Sequence, residues 1–99
     1  EIYTLSLHDA LPISIVIRQE IDRVDDALVA LLEKRMNLVG QVVDFKKSTG
    51  KAVLDNKREE VIVSRVADKV ENKDYQAAIV ATFSDILKHS RTFQKQQIR

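Results

Sequence analysis

Two basic residues, Arg35 and Lys46, interrupt an apolar pattern that otherwise continues through a long helical stretch. Eleven residues separate them, which is about three helical turns, so both side chains project from one face within ~20°. A charge on such a face is costly unless it is paired. Arg35 must therefore meet either an internal acid, such as Asp25 or Glu59, or a bound anion.

Polar side chains also lie in line with apolar positions on two later helical stretches. Arg58 extends the apolar face of the second, and Ser90 and Gln94 extend that of the third. Such polar residues have ordinary explanations when taken singly. Lys46 on the first helix can extend its ammonium group to solvent, Ser90 can bond to its own helix, and Gln94 can lie at a frayed end. Polar groups that all three helices place on apolar faces are together typical of a pocket for a small anion.

The spacing of Arg18 and Arg35 adds a geometric constraint. They are 17 residues apart, which corresponds to ~25 Å along a helix axis and a rotation of ~100°. They cannot both hold one small ligand from the same chain. If both bind the ligand, Arg18 must serve the pocket of a second chain.

Three helices must position these residues, and the predicted fold is all-α. The first begins near Ser14 as N-cap and ends before a Ser-Thr-Gly loop signal at 48–50. Residues 47–54 form a loop, and Asp55 or Asn56 caps a second helix that runs to about Glu71. A turn follows at 72–74, with Asp74 as the N-cap of a third helix from about Tyr75 to Gln96.

The first helix is predicted to be longer than its own domain. Its apolar stripe is Ile17, Ile21, Val24, Leu28, Leu31, Leu38, Val42 and Phe45. Roughly 33 residues span ~50 Å, whereas a compact chain of this size has a radius of gyration of ~13 Å. We therefore expect a second chain to cover the stripe. The alternative is a helix that bends or breaks at Gly40.

Composition limits the remaining possibilities. The chain has 99 residues, which suggests one domain, and it contains no cysteine and two histidines. A disulfide framework is therefore excluded and a transition-metal site is not expected. No apolar run approaches the ~20 residues of a membrane span.

Residues 1–13 have no helical or strand pattern, and they resemble the in-frame translation of a sequencing-library adapter. We expect them to be a non-native segment, with the functional domain at 14–99. They contain Glu1 and Asp9 and no Lys or Arg, so the rest has 16 basic and 13 acidic residues, a net charge of +3. That balance suits a small anionic ligand at least as well as nucleic acid. They also lack the basic start of a secretory signal, and we expect a cytoplasmic protein.

The order and spacing of the polar residues resemble those of the all-helical chorismate mutases of the AroQ class, or type II. The resemblance extends from about Ile17 to Gln94. The matching positions are Arg18, Asp25, Arg35, Lys46, Asp55-x-x-Arg58-Glu59 and Ser90-x-x-x-Gln94. The resemblance implies an intertwined homodimer of three-helix chains, in which the long first helices cross. It also implies the rearrangement of chorismate to prephenate, a unimolecular step that needs no cofactor.

The resemblance implies a role for each of the donors. Arg35 grips one carboxylate of the substrate, and Arg18 from the other chain grips the second. Lys46 and Gln94 donate to the ether oxygen from opposite sides, where negative charge develops as the C–O bond breaks. Ser90 contacts a carboxylate.

At the other end of the pocket, Glu59 accepts from the ring hydroxyl, and Asp55 and Arg58 shape the surroundings. Arg91, directly after Ser90, departs from the family pattern, in which an apolar residue is expected in some relatives. A cation there could help capture of the substrate or release of the product.

Three other functions compete with this interpretation. An isochorismate pyruvate-lyase shares the fold and the two-carboxylate grip, but is expected to lack the Asp-x-x-Arg-Glu pattern. A helical dimerisation or regulatory module explains the long stripe but not Arg35 within it. A nucleic-acid-binding helical domain is disfavoured by the weak net charge and by Asp25 and Asp26 in the main helix.

Overall fold

The computed structural model describes residues 7–49 and 56–98. The elements are α1 (Leu7–Thr49), α2 (Asn56–Lys69), a 3-10 turn (Lys73–Tyr75) and α3 (Gln76–Ile98). No strand occurs among these residues. The predicted all-α fold with three helices is therefore confirmed.

Helix α1 is longer than predicted. It has 43 residues and begins at Leu7, so the expected start at Ser14 is wrong, as is the absence of helical structure before it. Pro12 lies inside the helix, but only in its second turn. Only the first four N–H groups of a helix lack an intrahelical partner. Pro12 is the sixth residue of α1, so its missing N–H removes one backbone hydrogen bond near the start of the helix.

The C-terminal part of α1 continues past Gly40 without a break and ends at Thr49, two residues beyond the predicted end. Two hydroxyl groups bond back to its last turn. Ser48 Oγ donates to the Phe45 carbonyl at 2.8 Å, and Thr49 Oγ1 donates to the same carbonyl at 3.2 Å. Both are bonds from a hydroxyl group to a carbonyl three or four residues earlier in the same helix, as Ser and Thr side chains commonly form.

The chain divides into two compact units, one through Arg35 and one from Met36 onward. In the first unit, every side chain from Ser14 to Lys34 is exposed. The exposed apolar side chains are Ile15, Val16, Ile17, Ile21, Val24, Leu28, Val29, Leu31 and Leu32. None of the described helices is long and apolar enough to cross a membrane. Within the described residues, this unit is therefore a helix without a core.

The second unit has a small core. Helices α2 and α3 pack against each other, and Ile62 and Leu87 are each 5% exposed. Ile86, the neighbour of Leu87, is only half-buried. From α1, the most buried side chain is Val43, at 2%, which is not part of the predicted stripe.

The α2–α3 connection has a different cap from the one predicted. Asn72 caps the 3-10 turn, because its Oδ1 accepts from the Asp74 backbone N–H at 3.0 Å. Asp74 is therefore inside the turn and does not cap α3. Two side chains, Lys73 at 3.0 Å and Gln76 at 2.8 Å, donate to the Ala67 carbonyl near the end of α2. They tie the end of one helix to the beginning of the next.

Candidate functional site

Two of the predicted site residues contact each other on α3. Ser90 is only 4% exposed, and Gln94 Nε2 donates to Ser90 Oγ at 3.3 Å. Residues four apart on a helix lie on one face, so the bond follows from their spacing. The Gln94 amide has a second N–H donor, and this half-buried group can serve a ligand atom.

Glu59 is positioned by a residue on the facing helix. It lies on the first turn of α2 and forms an ion pair with Arg91 of α3, in which Arg91 Nη1 donates to Glu59 Oε1. Glu59 was one of two acids that the sequence offers to Arg35. Arg91 thus joins the predicted Glu59 position to the helix that carries Ser90 and Gln94.

An open cavity lies against α2 at this point. Its volume is about 510 Å³, and Glu59, Glu60, Val63 and Ser64 line it. The two acids give the cavity carboxylate acceptors, which suit a hydroxyl group of a ligand. Among the described residues, no group of three His, Asp or Glu side chains is arranged to hold a metal ion.

The cations of the second unit differ in burial. Lys46 is half-buried in the last turn of α1, whereas Arg58 is exposed at the start of α2. A cation in the last turn of a helix interacts favourably with the helix dipole. Asp55, which is predicted to shape the same end of the pocket as Arg58, is outside the described residues.

The two arginines of the first unit also differ in burial. Arg35 is its last residue and is half-buried, and Arg18 is exposed. Arg35 is the first half-buried side chain after the exposed run from Ser14 to Lys34. Its role in ligand binding stays a prediction.

The sequence did not indicate a second cavity, which lies between α1 and α3. It has a volume of about 300 Å³. The residues that line it are Met36, Asn37, Gly40, Gln41, Val43, Asp44, Lys47, Phe93 and Gln97. A Cβ atom on Gly40 would meet no atom within 4 Å, so the cavity is open there. Its lining mixes apolar and polar side chains from two helices, which gives no strong sequence pattern.

Comparison with known proteins identifies the family of the chain. The family model for chorismate mutase type II matches residues 17–95, a range that contains all the predicted site positions. No curated protein and no solved structure matches the chain. Since the family match covers most of the sequence, the chain belongs to the chorismate mutase type II family.

Proposed function

We propose that the chain is a chorismate mutase that converts chorismate to prephenate, in the pathway to phenylalanine and tyrosine. The observation that carries the proposal is the cluster on α2 and α3: buried Ser90, Gln94 bonded to it, and Glu59 beside an open cavity. These groups are hydrogen-bond donors and acceptors, which suits a pericyclic rearrangement that needs no nucleophile.

The substrate is a flexible dianion, and the first task is to hold it in the reactive chair-like conformer. Arg35 grips one carboxylate through its planar guanidinium group, which matches a carboxylate with two parallel bonds. Ser90 contacts a carboxylate. Glu59 accepts from the ring hydroxyl, with Arg58 and Asp55 shaping that end.

The second task is to stabilise the oxygen that becomes negative as the C–O bond breaks. Lys46 and Gln94 donate to this ether oxygen. Donors that are already in place cost no reorganisation during the reaction, and removal of one costs about 3–4 kcal/mol in other enzymes. Lys46 brings a full charge and is held half-buried, so it contributes more than a contact at the rim.

The proposal includes a homodimer in which Arg18 of the partner subunit grips the second carboxylate. Exposed apolar side chains along the first unit of α1 support this. A contiguous apolar surface of this kind marks an interaction site. A second copy of the same helix matches it in length and in apolar character, and it brings the Arg18 that the pocket requires.

Incubation of the purified chain with chorismate tests the reaction. Loss of the ultraviolet absorbance of chorismate, with prephenate as the product, is the expected result. The variant Lys46→Ala should lose turnover by about 10²–10³-fold while retaining its helical circular dichroism. Release of pyruvate from isochorismate, with chorismate left unchanged, would contradict the proposal in favour of a lyase on the same fold.

A further inference from the structure

The ion pair between Arg91 and Glu59 has no role in the mechanism above. The exposed fractions of the two side chains are 30% and 23%, so both are largely withdrawn from solvent. Water and salt therefore screen this pair less than a pair on the open surface. The ion pair also joins α3 to α2, and its two residues are 32 positions apart in sequence. It therefore depends on the packing of the two helices.

The geometry leaves Glu59 able to serve the substrate while it is paired. Arg91 bonds to one carboxylate oxygen, Oε1. An ionised carboxylate has two oxygens and about four acceptor sites. Since Glu59 also lines the cavity, its carboxylate can accept from a hydroxyl there without releasing Arg91.

The ion pair also changes the electrostatic environment of the cavity. Glu59 and Glu60 both line the cavity, and a dianionic substrate is repelled by carboxylates at short range. A guanidinium group bonded to Glu59 offsets that repulsion. Without it, an ionised acid at the ring end of the pocket would oppose binding.

We propose that Arg91 is a positioning residue for the mutase reaction. It holds the Glu59 carboxylate in the orientation that accepts the ring hydroxyl, and it offsets the negative charge of that carboxylate. Arg91 acts through Glu59 and does not touch the substrate. This inference rests on the proposed function and adds to it a residue outside the predicted site.

A purely structural role for Arg91 would be to tie α2 to α3. Kinetic constants separate the two roles, because a structural tie changes the amount of folded protein and leaves the kinetics of the folded fraction unchanged. The test compares Arg91→Gln, Arg91→Lys, Glu59→Gln and the double variant with the wild type. Lys88→Gln, which removes an exposed cation from the same helix, is the matched control.

We expect Arg91→Gln to lower kcat/KM for chorismate by about tenfold or more, since small errors of position are costly in catalysis. Loss of the orientation of the Glu59 carboxylate lowers kcat. The negative charge of Glu59, no longer offset by Arg91, raises KM. Arg91→Lys should recover part of the loss because it restores the charge. Lys88→Gln should stay within about twofold of the wild type, as expected for a surface substitution.

The double variant provides the decisive comparison. In the Glu59→Gln background, Arg91→Gln should cause no further loss, because the residue through which Arg91 acts is already neutral. This double variant leaves neither member of the pair charged, so it remains informative if Arg91→Gln alone fails to fold.

Three outcomes overturn the inference. Arg91 is not a positioning residue if the wild type converts chorismate and Arg91→Gln keeps kcat/KM within twofold of the wild type. The same conclusion follows if Arg91→Gln causes an equal loss in the Glu59→Gln background. In both cases the proposed function stands. If the wild type leaves chorismate unchanged, the proposed function fails and this inference fails with it.

Discussion

The apolar side chains of α1 have different surroundings from those of the α2–α3 pair. Leu28 of α1 is 48% exposed, whereas Leu87 of α3 is 5% exposed. Both residues belong to apolar stripes of helical period, and the same pattern therefore leads to burial in one region only. Ile62 and Leu87 of the α2–α3 pair are buried within the chain, whereas it is the proposed homodimer that would cover the α1 stripe with a second copy.

The largest expected effect comes from a charge placed on the α1 stripe. Leu28→Glu would bury a carboxylate between two subunits without a partner, at a high cost in free energy. We expect the dimer to dissociate and the turnover of chorismate to disappear. Sedimentation velocity at micromolar concentration and the absorbance assay measure the two effects.

Gln19→Glu is the control for this substitution, because position 19 is nine residues from Leu28 and ~180° around the helix. It adds the same charge to the same exposed helix, but on the opposite face. It should remain dimeric and active. If Leu28→Glu also remained a fully active dimer, the stripe would not be the subunit interface.

The next effect tests whether the two regions meet across subunits. Arg18→Ala should abolish a carboxylate grip, and Lys46→Ala should remove the ether-oxygen donor, each with a loss of roughly 10²–10³-fold. In a heterodimer of the two variants, one site carries both substitutions and the other carries neither. Chain exchange should therefore restore about half the activity of a wild-type dimer per heterodimer.

Arg23→Ala is the matched control, because it removes another exposed cation from the same part of α1 and should keep its activity. Heterodimers are verified by a mass tag on one variant before the assay. If the verified heterodimers remain inactive, Arg18 does not act across the interface, and the length of α1 needs another explanation.

The smallest expected effect concerns the core of the α2–α3 pair. Leu87→Ala leaves a cavity at a buried site, and such substitutions cost about 2–5 kcal/mol of stability. Urea denaturation at one fixed protein concentration measures this, since the stability of a dimer depends on concentration. Lys88→Ala, at the neighbouring exposed position, should change it by less than about 0.5 kcal/mol. Equal effects of the two would mean that Leu87 is not part of the core.

The sequence predicted the features that depend on local periodicity. The three helices, the exposed stripe of α1 and the pairing of Ser90 with Gln94 on one face all follow from spacing within single elements. The family resemblance depended on the same spacings, and the family match confirms it. The ends of α1 were less accurate, because Ser14 was interpreted as an N-cap and the Ser-Thr-Gly sequence at 48–50 as a loop signal, whereas the helix runs from Leu7 to Thr49.

Features that depend on the packing of one helix against another were not predicted. Val43 is buried on a face that also carries Gly40 and Lys47, and this face shows less apolar contrast than the stripe beside it. The bond between Arg91 and Glu59 depends on the register of α3 against α2. No spacing within either helix encodes that register, so the sequence suggested only a general role for Arg91 in substrate capture or product release and not its pairing with Glu59.

The exposed stripe of α1 also has a consequence for the order of folding. As the chain is synthesised, α1 precedes α2 and α3. Most helical stability in proteins comes from packing of an amphipathic face, and in the proposed homodimer the partner for this face arrives only with a second chain. The α2–α3 pair forms through contacts close in sequence, which are fast to make. If the homodimer forms as proposed, we expect folding of the first unit of α1 to be a second-order process, with a rate that rises with protein concentration.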